Sequence, residues 1–174
     1  LPATTALATL ERQAPGQSGL GLVIARSLAQ VWQDYDYAII DSPPILGVLM
    51  VNALAASQQL LIPVQTEHLA LKGLERMVHT LSMINRSRPQ ELPFCIVPTL
   101  FDRRTQASIS TLRVLRDTYP GTLWQGFIPV DTRLRDASRA GQTPSQFDDK
   151  TRGVIAYRAL LKHVLTRQLS PQAV

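Results

Sequence analysis

The stretch that decides the fold is Asp34-Tyr35-Asp36-Tyr37-Ala38-Ile39-Ile40-Asp41-Ser42-Pro43-Pro44. Within it, the short β-prone apolar run from Tyr37 to Ile40 ends on an acid and two prolines, the pattern of a buried strand halted by a loop. In a parallel sheet such a loop lies at the carboxyl edge, where helix starts and loop backbones present unpaired donors to ligands. Asp41 then stands where a nucleotide-binding sheet puts a carboxylate beside a magnesium ion, usually through water. The same acid also suits a cap of the following turn or helix, and spacing alone does not choose between the two.

Working outward, residues 21 to 33 place Leu22, Val23, Ala25, Leu28, Ala29 and Trp32 at helical spacing. A second helix is expected from Gly47 to Ser57, followed by an apolar strand from Gln59 to Val64. Leu69 to Asn85 carries one apolar face, and Phe94 to Val97 is a third strand before Pro98. Ile109 to Tyr119 repeats the helical signal, Trp124 to Ile128 supplies a fourth strand before Pro129, and Val154 to Leu169 forms a last helix. Helix and strand alternating four times imply an α/β, doubly wound, mostly parallel sheet with helices on both faces, here an incomplete one. The expected organisation is an irregular segment over 1–18, one domain over 19–169 and a tail over 170–174.

At 174 residues the chain fits one domain, and its 45% apolar and 18% charged residues are those of an ordinary globular protein. No apolar run reaches the roughly 18 residues needed to cross a bilayer, and no secretory leader pattern opens the chain, so a cytoplasmic protein is expected. The single cysteine, Cys95, lies inside Phe94-Cys95-Ile96-Val97 and reads as a small buried hydrophobe. His68, His79 and His163 are far apart and lack metal-ligand partners in sequence. The net charge of +5 rests on 15 arginines against 3 lysines. That balance suits planar contact with phosphates or carboxylates, and also an ordinary solvated surface.

Asp34 to Pro44, followed by Leu46-Gly47, Asn52-Ala53-Leu54 and Ile62-Pro63-Val64-Gln65-Thr66-Glu67, resembles the Walker B region and next strand of the ParA/MinD-type deviant P-loop ATPases. Pro98-Thr99-Leu100-Phe101-Asp102-Arg103-Arg104-Thr105 is similar to that family's strand-end motif, and Ile128-Pro129-Val130-Asp131-Thr132-Arg133 to Ala137 to its adenine-side loop. The likeness runs over about residues 20 to 168, and the segments 65–77 and 98–105 look like the subgroup that positions chemotaxis arrays. By position it implies that Asp41 is the Walker B acid, holding magnesium through water. Ser42, Pro43 and Pro44 would form a switch-like turn behind it, and Thr99, Phe101, Pro129, Val130 and Asp131 would lie around the adenine of ATP.

The resemblance further implies a homodimer, a ParB-like or other adaptor protein, and non-specific DNA bound through surface arginines such as Arg103, Arg113, Arg116, Arg133, Arg135, Arg139 and Arg152. Asp102 and Arg104 are candidates for an ion pair that shapes their loop, with Arg104 facing a partner subunit as the alternative, and the sequence does not decide between them. One departure qualifies the likeness. No stretch reads Gly-x-x-x-x-Gly-Lys-[Ser/Thr], and Lys72, Lys150 and Lys162 follow no glycine. The expectation is therefore a piece of a longer ATPase, inactive as it stands. The alternatives are a non-catalytic scaffold of the same fold and an amidotransferase of the cobyrinic acid diamide synthase kind, which would need a reactive cysteine.

Overall fold

The computed structural model describes residues 22–42 and 47–169. The chain divides into two compact units, Leu1–Leu60 and Leu61–Val174, each built around its own contacts.

In the first unit, helix α1 (Val23–Ala29) packs against α2 (Val48–Ala56). Leu22, at the N-cap of α1, supplies no side-chain bond to the orphan amides of the first turn. Asn52, buried within α2, does so from 29 positions away: its Oδ1 accepts from Val23 N at 2.9 Å and from Ile24 N at 3.4 Å. Its Nδ2 donates to Val48 O at 2.9 Å, so one polar side chain ties the start of α1 to α2. The expected strand from Tyr37 to Ile40 is not formed. The segment forms no part of the named sheet, and Ile39 is 97% exposed. β-propensity expresses how a side chain fits a pleated, half-buried surface, and among the described residues no neighbouring strand gives this segment such a surface.

The second unit follows the expected alternation more closely. Its elements are β1 (Leu60–Gln65), α3 (His68–Asn85), β2 (Phe94–Thr99), α4 (Gln106–Thr118), α5 (Thr132–Arg139), α6 (Pro144–Phe147) and α7 (Arg152–Leu169). β1 pairs with β2. On β1, Ile62 and Val64 are buried while Leu61, Pro63 and Gln65 are exposed. A proline is tolerated where the strand's outer side needs no ladder donor.

The other side of β2 carries a parallel ladder to residues 122–130. Ile96 N donates to Thr122 O (2.8 Å), Trp124 N to Ile96 O (2.9 Å) and Ile128 N to Pro98 O (2.8 Å). The expected fourth strand from Trp124 to Ile128 is not a regular strand: the segment bends at Gln125-Gly126, and its isolated bridges flank that span, Leu123 to Ile96 of β2 and Pro129 to Phe101 beyond it. β2 is buried along Cys95 to Pro98, as a strand covered on both faces should be. Cys95 and Val97 pack with Trp124, Ile128 and Leu160 of α7, leaving Ile96 and Pro98 to the opposite face. The architecture is α/β with a parallel sheet and helices. Cys95, fully buried, is the core hydrophobe the sequence indicates.

Two helices escaped the periodicity reading. In α5 the one buried residue is Ala137, and α6 is a single turn, so neither offers an apolar stripe to detect. Their signals are caps. Asp131 accepts from Arg133 N at 3.0 Å at the head of α5, and the Gln146 side chain reaches back to Thr143 N before α6. Among the described residues no helix is long and apolar enough to cross a membrane.

Candidate functional site

The carboxyl ends of the parallel strands bring together four of the residues singled out by sequence. Thr99 closes β2, and its carbonyl accepts from Thr66 N at 3.1 Å just beyond β1. The chain then turns through Leu100, whose φ of 51° lies in the left-handed region that a leucine rarely enters. It re-engages the sheet at Phe101, whose N donates to Ile128 O at 3.1 Å and whose carbonyl accepts from Val130 N at 3.0 Å. Phe101 and Pro129 thus face one another across a parallel bridge. Thr99, Phe101, Pro129 and Val130 are all half-buried, forming a ledge rather than part of the packed core.

The Phe101 ring lies 4.3 Å from that of Phe127, centroid to centroid, tilted by 43°. Both rings border a cleft of about 290 Å³ whose remaining walls include Ile109, Leu112, Arg113 and Arg116 of α4. A wider crevice of about 720 Å³ lies between α1 and α2 in the first unit, but its lining of Ala25, Leu28, Trp32 and Ala55 holds none of the expected site residues. The smaller cleft holds one of the expected adenine-side residues, Phe101, and the larger holds none.

Asp131 has a different local task from its neighbours. One carboxylate oxygen caps α5 through Arg133 N, and the other accepts from Gly153 N at 2.8 Å in the first turn of α7. Two charge-assisted bonds hold this carboxylate in place. Asp41 and Ser42 are exposed and lie outside regular structure, and Pro43 falls outside the described residues.

Beside the ledge, Asp102 is locked to Arg104. Arg104 Nη2 donates to Oδ2 at 2.8 Å, Arg104 Nε to Oδ1 at 3.0 Å, and Arg104 N to the same Oδ1 at 3.0 Å. The Arg104 side-chain bond, then its backbone bond, hold the Asp102 carboxyl down at about 2, and the same pairing raises the guanidinium of Arg104. The expected ion pair is therefore present and closes the loop after β2 on itself. Of the other arginines, Arg133 is bonded to Asp148 at 3.2 Å and stacked 4.9 Å above the Phe147 ring, and Arg116 donates to Gln125 O at 3.3 Å.

Sequence reasoning missed the polar pair beneath this loop. Thr66 is 1% and Ser108 6% exposed, and their hydroxyl oxygens are 3.0 Å apart. They are separated by 42 positions, and only the sheet brings them together.

A family model described as an AAA domain matches residues 1–94. The sporulation initiation inhibitor protein Soj of Bacillus subtilis is 33% identical over 165 residues, covering 94% of this chain and 65% of that protein. The chromosome partitioning protein ParA of Myxococcus xanthus is 31% identical over 168 residues, covering 96% of this chain and 59% of that protein. A crystal structure described as cobyrinic acid a,c-diamide synthase from Mycobacterium smegmatis, with bound ATP analog and magnesium, superposes with a TM-score of 0.79 at 32% identity, covering 98% of this chain and 63% of that one. The chain thus spans a little under two thirds of the length of these proteins. The amidotransferase chemistry that the last name could suggest finds no nucleophile in Cys95, which is sealed inside β2. With the family match, the Soj and ParA relatives and the α/β architecture agreeing, this chain belongs to the ParA/MinD-type P-loop ATPases.

Proposed function

We propose that the chain is part of an ATP-dependent dimerisation switch that partitions or positions DNA or protein cargo in the cytoplasm. The observation that carries this reading is the ledge of Thr99, Phe101, Pro129 and Val130 at the carboxyl edge of a parallel ladder. That edge is where open α/β sheets take their ligands. The residues fit a nucleotide. Half-buried Phe101 offers a planar aromatic face on which part of a purine can stack. The Asp131 carboxylate, fixed by α5 and α7, keeps the loop after Val130 in one place. Asp41 is exposed and makes no ion pair with the described residues, which leaves its carboxylate available to hold a magnesium ion through water, with Ser42 alongside. Bound magnesium would neutralise charge on the phosphates.

In this reading the dimer is favoured with ATP bound and released after hydrolysis, because a ligand shifts an equilibrium only by its different affinity for the two states. A ParB-like or other adaptor would act on that switch. Exposed Arg103, Arg135 and Arg139 would contribute to non-specific DNA contact, which weakens steeply with salt. The direct test is light-scattering mass of the protein expressed from its complete natural reading frame, with and without magnesium and ATP. A doubling of mass that requires both is expected, and an unchanged mass at saturating ATP would refute the switch.

A further inference from the structure

The hydroxyls of Thr66 and Ser108 form a directional chain. Thr66 Oγ1 donates to Leu100 O at 3.4 Å, which spends its one proton, so the 3.0 Å contact with Ser108 is a bond donated by Ser108 Oγ. Ser108 Oγ in turn accepts from Asp102 N at 3.4 Å. Both ends of the chain therefore terminate on the backbone of the loop that carries Phe101. Other hydroxyls in helices or at their ends, including Ser110 of α4 itself, behave differently. Ser27 bonds back to Val23 O at 2.9 Å, Ser57 to Ala53 O at 2.6 Å and Ser110 to Gln106 O at 2.9 Å, each within its own segment. Ser108 reaches out of α4 to Thr66 instead.

What the chain grips is the strained residue. Leu100 holds φ at 51°, and the residue is 49% exposed, so apolar packing does not explain the conformation. Strain of this kind persists where surrounding structure over-determines it. Here the carbonyl of Leu100 is bonded by Thr66 Oγ1, the residue before it by Thr66 N, and the residues after it by Ser108 and Ile128.

We propose that Thr66 and Ser108 are positioning residues for the base site. Their hydroxyl chain fixes Leu100 in the left-handed conformation and so sets the direction in which Thr99 and Phe101 face a bound base. The inference rests on the nucleotide reading above.

The test has two arms. In the 174-residue chain, amide hydrogen exchange compares Phe101 and Val130, on the ladder beyond Leu100, with Ile96 and Trp124, on the same ladder before it. Thr66→Val and Ser108→Ala should each speed exchange at the first pair roughly five- to tenfold, with little change at the second, as loss of one buried hydrogen bond confined to one end of the ladder would do. Thr66→Ser, which keeps the hydroxyl, should behave as wild type, and Ser108→Ala serves alone should Thr66→Val not fold. Equal acceleration at all four amides, or none, overturns the positioning role.

In the second arm, the protein from the complete reading frame is titrated with ATP and with GTP. The two variants should narrow the preference for ATP, while an unchanged ratio of affinities overturns the proposal. A wild-type protein that binds neither nucleotide refutes the site itself, and with it the base-positioning role. That failure is separable because the exchange arm contains no nucleotide.

Discussion

Asp131 joins two helices through a single carboxylate: one oxygen accepts from Arg133 N at the head of α5, and the other from Gly153 N at 2.8 Å in α7. The bond depends on close approach. A Cβ at Gly153 would sit 3.0 Å from the Leu134 side chain of α5, tighter than ordinary van der Waals contact. Asp131→Asn keeps the shape and lowers the charge, so it should cost about 1 kcal/mol, whereas Asp131→Ala strips both the cap and the staple and should cost about 2–3 kcal/mol. Gly153→Ala should destabilise by about 1–2 kcal/mol through overpacking unless Leu134 rotates away. Urea unfolding of the nucleotide-free chain measures all three. No loss for Asp131→Ala would mean the carboxylate does not hold α5 to α7.

The bend within the expected fourth strand rests on a second glycine. Trp124 folds its six-membered ring over Gly126, so that a Cβ there would fall under 3.0 Å from ring carbons. Those distances cannot be met, and Trp124 is 7% exposed with little room to move. Gly126→Ala should therefore lower stability by about 1–3 kcal/mol and disturb the packing of Trp124 against Cys95 and Leu160. Near-ultraviolet circular dichroism reads the ring directly. An unaltered indole signal in a fully stable variant would contradict the close approach.

These two features mark the border of what the sequence discloses. Apolar runs located β1 and β2, and the three-and-four spacing located α3, α4 and α7, because those elements bury one stripe or both faces. α5 was read as loop, since its own residues bury little and its start is written in Asp131 alone. Tyr37 to Ile40 has the composition of a strand, yet a strand also needs a neighbour, and composition says nothing of where that neighbour is. At the site, Phe101 and Pro129 were indicated as adenine-side residues only by family resemblance, and the backbone bridge that joins them was not legible in the sequence. Thr66 and Ser108 were illegible because isolated hydroxyl residues carry no signal until the sheet brings them together.

The Asp102–Arg104 pair makes a prediction about acid. The Asp102 carboxyl is lowered from 3.8 to about 2, first by the Arg104 side-chain bond. A group whose folded-state value is depressed adds stability that is present above its unfolded value and fades as pH falls through the folded one. The contribution should thus be complete above about pH 4 and lost on the way to about pH 2. The pair is solvent-accessible, so the site-specific midpoint is a better observable than global stability. Carbon-detected titration of Asp102 should give a midpoint near 2 in the wild type. In Arg104→Gln it should move back toward 3.8, the value ordinary for aspartate. Equal midpoints in the two proteins would show that Arg104 does not hold the carboxyl.

Asp41 offers the sharpest separation of chemistry from structure. It is exposed, lies outside the helices and strands, and forms no ion pair with the described residues, so removing its carboxylate disturbs no packing and should change stability by under about 0.5 kcal/mol. If it organises magnesium at the phosphates, the same substitution removes an interaction whose value is realised in the transition state. Asp41→Ala in the protein from the complete reading frame should therefore leave the thermal midpoint within a degree or two while lowering magnesium-dependent ATP hydrolysis by on the order of a hundredfold or more. Asp41→Asn, which keeps the shape without the charge, should fall nearly as far, because a neutral amide binds a hard cation poorly. Unchanged stability with near-normal turnover would remove Asp41 from the metal site. A large loss of stability would instead assign the residue the capping role that its sequence position equally allows.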